Sequence, residues 1–198
     1  MSDLDQHVDT ARRETRVVGD YSHVLLARDL PAPAGEVWSA LTDPDRISRW
    51  FLPVSGDLRV GGAFTVEGNA EGEVLVCEPD SLLRVTYGAP DSVVELRLSG
   101  STTLELEHTV SLDVADGAGA LYVGPGWDIS MLWLLKHLDG TLPDDPVAAE
   151  NSLAGQRYSA QAVHRWADTL TGLVAPDALA SVIDESLAQY APDLPRPA

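Results

Sequence analysis

Apolar and polar positions change their spacing three times along the chain. From Tyr21, YSHVLLARDL alternates, with Val24, Leu26 and Leu30 on one parity and His23, Leu25 and Ala27 on the other, which predicts a strand. PAPAG breaks it, and Val37, Trp38 and Leu41 then share a helical face. That helix has to stop before Pro44, because a residue preceding proline avoids the helical region. Asp43 and Pro44 open a second short helix as N-cap and first helical residue, with Ile47, Trp50 and Phe51 at i, i+3 and i+4. From Ser55 to Val114 the period becomes two. SGDLRV, AFTVEG, EGEVLVCE, LLRVTYG, SVVELRLSG and TTLELEHTVSLD predict about six antiparallel strands, separated by turn residues such as Gly61-Gly62, Gly68-Asn69 and Pro79-Asp80. In the last of them Leu104, Leu106, His108 and Val110 take one face while Thr103, Glu105, Glu107 and Thr109 take the other. One face of the sheet therefore meets apolar matter and the other meets water.

After a loop at DGAGA the pattern becomes helical. GWDISMLWLLKHLDG carries a stripe of Trp127, Met131, Leu134, Leu135 and Leu138, stops at Gly140, and covers much of its remaining surface with Ile129, Leu132 and Trp133. A helix apolar nearly all round is buried on two sides, so it needs the sheet on one side and a second cover on the other. TLPDDPVAAENSLAG reads as a connection. Beyond it, Val163, Trp166, Ala167 and Leu170 share one helical face, and after Pro176 so do Leu179, Val182, Ile183, Leu187 and Tyr190. These two helices are expected to pack outside the long one; the alternative is that their apolar faces form a dimer interface. The polar, aperiodic residues 1–20 read as a flexible arm. The expected organisation is an arm at 1–20, an α+β domain at 21–142 and a helical extension at 143–198 that packs on the long helix.

This order of elements, carried by ARDLPAPAGEVWSALTDPDRISRWF (27–51), VGGAF (60–64), GEVLVCEPDSLLRVTY (72–87), LELEHT (104–109) and GPGWDISMLWLLKHLDG (124–140), resembles the START-like, or SRPBCC, superfamily. Within it the chain is most similar to the activator-of-heat-shock-ATPase homologue family. The resemblance implies a helix-grip fold, in which a curved antiparallel sheet wraps a long C-terminal helix and leaves a cavity between them. It implies an apolar small-molecule ligand and transfers no catalytic residue, because the family has no invariant catalytic set. Fold analogy alone is a weak warrant for function.

Composition narrows the partners. The 198 residues include 31 Asp and Glu against 13 Lys and Arg, a formal net charge of −18. Nucleic-acid binding and polybasic attachment to anionic membrane both need clustered basic residues, so neither is expected. The acidic excess is spread over arm, domain and tail, as a solubility device would be. Cys77 is the single cysteine, which excludes an internal disulfide framework and a cysteine-rich zinc site. The first residues hold no apolar run and no stretch approaches the roughly 20 residues of a spanning helix, so a soluble, cytoplasmic protein is expected.

Signatures of catalysis are missing: there is no G-x-S-x-G, Walker-type loop, G-x-G-x-x-G or H-E-x-x-H. Histidines 7, 23, 108, 137 and 164 lack paired ligand spacing, so no metal, cofactor or catalytic set is expected. His108 is either a core histidine satisfied by hydrogen bonding or a polar anchor inside a cavity. Arg97 shares parity with Glu95, so it is either half of a solvent-facing pair or a cavity group waiting for an anionic ligand. Pockets are mostly apolar with a few placed polar groups, which favours tryptophan and tyrosine. The residues put forward as ligand contacts are Trp127, Met131, Trp50, Phe64, Tyr87, Arg97 and His108. The leading expectation is non-catalytic binding of a hydrophobic small molecule, with carriage or sequestration of a polyketide-type natural product, in biosynthesis or self-resistance, as a sub-case. The alternatives are a cyclase/aromatase-like or hydrolytic enzyme drawing on His108, Arg97, Tyr87 and Asp128, and a chaperone-binding module. The chain is expected to be a monomer or a homodimer.

Overall fold

In the computed structural model, which describes residues 4–100 and 102–195, a short helix α1 (Asp5–Val8) leads into β1 (Arg12–Val18) and β2 (Tyr21–Asp29). Helices α2 (Ala34–Thr42) and α3 (Pro44–Trp50) follow, then β3 (Val54–Gly56), β4 (Ala63–Val66), β5 (Ala70–Glu78), β6 (Leu82–Tyr87), β7 (Ala89–Ser99) and β8 (Thr103–Ser111). The chain then forms α4 (Ala120–Asp139), α5 (Pro146–Asn151), α6 (Leu153–Thr169) and α7 (Pro176–Tyr190). The strands make an antiparallel eight-stranded sheet in the order β1-β2-β8-β7-β6-β5-β4-β3, curled over α4 in the α+β helix-grip arrangement.

Period-two patterning locates the strands from β4 to β8 and the end of β3. Every second residue of β8 from Leu104 to Val110 is buried, and Val24 and Leu26 of β2 stand beside them. That face packs on Met131 and Leu134 of α4, and the main core continues to Val163, Trp166 and Leu170 of α6. Asp43 caps α3 by accepting from the Asp45 amide, with Pro44 in the first turn. The tail helices α6 and α7 both lie on α4, covering the side that the sheet leaves open.

Helix α4 starts at Ala120, earlier than the sequence pattern placed it, and runs through Pro125. A proline inside a helix has no N–H for the carbonyl four residues back. That carbonyl, on Leu121, instead accepts a 2.7 Å bond from Ser186 Oγ of α7, and the next one, on Tyr122, accepts from the Tyr190 hydroxyl. The extension thus docks on the acceptors near the proline. Close approach of α6 has a separate cause: a Cβ on Gly124 would stand 2.5 Å from the Trp166 ring, so only glycine leaves this seat open.

Two expectations need correction. Over residues 5–18 the segment read as a flexible arm is α1 and β1, while residues 1–3 lie outside the described residues. β1 pairs with β2 from Arg12↔Ala27 to Val18↔Tyr21. Periodicity missed it because its inward residues are polar: Arg13 reaches Asp128, and Thr15 shares a 2.7 Å bond with Thr169. The connection after α4 also hides a helix, α5, which Asp145 caps by accepting from the Ala148 amide. Residues 196–198 of the extension lie outside the described residues.

Candidate functional site

Two hollows lie side by side, separated by aromatic side chains. The inner one is an apolar chamber of about 150 Å³ between the sheet and the short helices, lined by Phe64, Val74, Val85 and Leu96 below and by Leu41 and Ile47 above. Phe64 reaches over β5 because Gly72 has no side chain: a Cβ there would come within 2.6 Å of its ring. The outer hollow is a cleft of about 400 Å³ between α4 and the extension. Tyr122, Ser130 and Trp133 of α4 form its floor, while Val147 and Glu150 of α5 and Tyr190 of α7 form its rim.

Trp50, Phe51, Tyr87 and Trp127 face both hollows. Their rings touch in sequence. Trp50 lies 5.6 Å from Phe51, Phe51 stacks on Trp127 at 6.1 Å and 19°, and Trp127 meets Tyr87 at 5.4 Å. Hydrogen bonds hold the partition in place: Trp50 Nε1 donates to the Ala40 carbonyl at 3.0 Å, and the Tyr87 hydroxyl donates to Asn69 Oδ1. Burial pushes the Tyr87 phenol up to about 12, so it stays protonated.

His108 stands behind the partition at 3% exposure. Trp127 Nε1 approaches its Nδ1 at 3.0 Å, and indole can only donate, so Nδ1 is the acceptor. The proton therefore sits on Nε2, which donates to Ser92 Oγ at 2.9 Å. Burial lowers the imidazole pKa to about 4. A neutral ring with both nitrogens engaged orients Trp127; it is a poor acid–base catalyst.

Of the residues put forward from sequence, Trp127, Trp50, Phe64, Tyr87 and His108 come together around the two hollows. Met131 and Arg97 do not. Met131 is on the α4 face packed into the main core and borders neither hollow. Arg97 points to the outer face of the sheet, 51% exposed, where it and Arg84 flank Glu95. Asp128, a candidate for the enzymatic alternative, is turned away from both hollows and fully buried. Arg13 grips it with two bonds of 2.8 and 2.6 Å, and Trp166 Nε1 donates to it at 2.7 Å.

Sequence reasoning missed Glu150, because α5 was read as a connection. The signal was present: Asp145-Pro146 repeats the Asp43-Pro44 pair that announced α3. Glu150 accepts a 3.5 Å bond from Trp133 Nε1, and burial raises its pKa. Among the described residues no group of three metal-ligating side chains converges, and no helix is long and apolar enough to cross a membrane.

The family described as Activator of Hsp90 ATPase homolog 1-like protein matches residues 31–137. The chain belongs to it. The match takes in every residue lining the inner chamber but stops short of α5 and α7, which wall the outer cleft. Among solved structures, CalU16 from Micromonospora echinospora is similar in its crystal form, at 35% identity and a TM-score of 0.67 over 81% of this chain and 98% of that one. Its solution structure gives 38% identity and a TM-score of 0.69 over 82% and 96%. That likeness extends beyond the residues that match the family. DynU16, a protein in the dynemicin biosynthetic locus, is 28% identical with a TM-score of 0.52 over 64% of this chain and 50% of that one. No curated protein matches the chain.

Proposed function

We propose that the protein binds a hydrophobic small molecule, a polyketide-type natural product, and carries or sequesters it in a biosynthesis or self-resistance pathway. The observation behind this reading is the apolar inner chamber, joined through an aromatic partition to a larger and more polar cleft. Binding pockets combine apolar walls with a few placed polar groups, and the two hollows divide those properties between them. The likeness to DynU16 supports the pathway setting, since that protein comes from a biosynthetic locus. The engaged nitrogens of His108 and the burial of Asp128 away from the hollows favour binding over turnover.

Trp50 and Trp127 face both hollows, so intrinsic fluorescence reports occupancy directly. Titration with a panel of polyketides, sterols and fatty acids is expected to give saturable quenching by the polyketides. Val85→Phe, which adds bulk to the chamber wall, is expected to weaken that binding at least about tenfold while the fold is retained. Unchanged affinity in Val85→Phe would remove the inner chamber from the reading, and no saturable response to any compound would overturn it.

A further inference from the structure

The outer cleft has an uneven chemistry that ligand binding in general does not explain. Among the described residues lining it, Glu150 is the only carboxylate and there is no lysine or arginine. His108, the one titratable nitrogen group among those residues, is neutral, with both ring nitrogens engaged. Asp145 and Pro146 set the start of α5, and Glu150, four residues after Pro146, turns toward Trp133 of α4. An ionised carboxylate has about four acceptor positions. The hydrogen bond the structure gives this one is a single long contact from Trp133 Nε1. Tyr190 also stands within electrostatic reach of Glu150, and its hydroxyl is committed to the Tyr122 carbonyl. Glu150 is only partly buried, and a protonated amine entering the cleft would meet its open acceptor positions with charge-assisted hydrogen bonds. Aromatic rings around it add to the attraction for a cation, and the net charge of −18 gathers cations toward the molecule as a whole.

We infer that the outer cleft selects a ligand bearing a protonated amine, with Glu150 as its counter-ion, Trp133 and Tyr190 beside it, and the ligand's apolar ring system directed to the aromatic partition. This rests on the reading of the two hollows as a ligand site and adds the charge class of the ligand. An anionic ligand is disfavoured by the same geometry, because nothing basic lines the cleft to receive it.

The test uses three fluorescent probes with the same ring system: pyrenemethylamine, pyrenemethanol and pyrenecarboxylate. On the intact chain the expected order of affinity is amine, alcohol, carboxylate. Glu150→Gln is expected to lower amine affinity about tenfold and leave the alcohol within about twofold. Trp133→Phe, which removes the hydrogen bond to Glu150 and keeps the carboxylate, is expected to retain the amine preference; thermal melting checks that both variants fold. If amine and alcohol bind the intact chain alike, or if the amine preference survives in Glu150→Gln or disappears in Trp133→Phe, the inference is overturned and small-molecule binding stands. If none of the three binds, the inference is overturned, and the titration with polyketides decides separately whether the reading it rests on stands.

Discussion

The two faces of α4 are built on different chemistry. Toward the sheet it meets hydrocarbon: Met131 and Leu134 stand among Leu104, Leu106, Val24 and Leu26, and the nearby hollow is walled by more of the same. Toward the termini it meets a seam of directed bonds, in which Asp128 receives Arg13 and Trp166 while the Leu121 carbonyl receives Ser186. The sheet side tolerates an empty chamber because hydrophobic packing is non-directional and leaves no polar group unsatisfied around the void. The seam has no such latitude, since each buried polar group there depends on its named partner. The sheet face of α4 thus rests on non-directional packing and the tail face on directed bonds, with the outer cleft open beside the seam.

The largest expected effect tests the seam. Asp128→Ala leaves the Arg13 guanidinium, 5% exposed, without its counter-ion and Trp166 Nε1 without its acceptor. Breaking a buried pair in this way costs about 3–5 kcal/mol, which urea denaturation would measure as a fall in midpoint at constant slope. A cost near that of a surface substitution would show that packing alone holds β1 and α6 to α4.

A smaller effect belongs to the sheet side and is read through pH. His108 titrates at about 4 in the folded state against an ordinary value of 6.5, so on acidification the unfolded chain takes up its proton first. Stability from the neutral ring is complete above about pH 6.5 and is lost progressively down to about pH 4, amounting to about 3 kcal/mol. Protonation also removes the Nδ1 acceptor from Trp127 and so loosens the partition. Stability curves of the native chain and His108→Gln, measured from pH 7 to pH 4, are expected to converge by about that amount on the acid side. Parallel curves would mean that His108 is not the buried neutral group described.

What the sequence disclosed follows the same division. Hydrocarbon contacts leave periodicity, so β2, the strands from β4 to β8, both short helices and the apolar back of α4 were legible, as were five residues bordering the hollows. Directed polar contacts leave none. Arg13 and Thr15 look like solvent-facing residues until Asp128 and Thr169 are placed opposite them, which is why β1 passed for a loose arm. Met131 and Trp127 lie on one helical stripe, yet only Trp127 borders a hollow, because a stripe gives the buried face without saying where along it the packing opens. Arg97 pairs with Glu95 two residues away on the outer face, and strand parity had already pointed there.

The smallest effect separates the two kinds of contact within a single turn of α4. Ser186→Ala removes the donor to the Leu121 carbonyl and leaves that buried acceptor unmet, an expected cost of about 1–2 kcal/mol. The acceptor is free for Ser186 because Pro125 supplies no amide hydrogen. Pro125→Ala restores one, and the helix can then satisfy Leu121 internally. Ser186→Ala made in the Pro125→Ala background should therefore cost clearly less than in the native chain, giving a coupling of about 1 kcal/mol in a double-mutant cycle of thermal or urea unfolding. Additive costs would mean that an amide hydrogen at position 125 does not take over the Leu121 carbonyl. A negligible cost of Ser186→Ala in the native chain would mean that the apolar contacts of Leu179, Ile183 and Leu187 hold α7 without this bond.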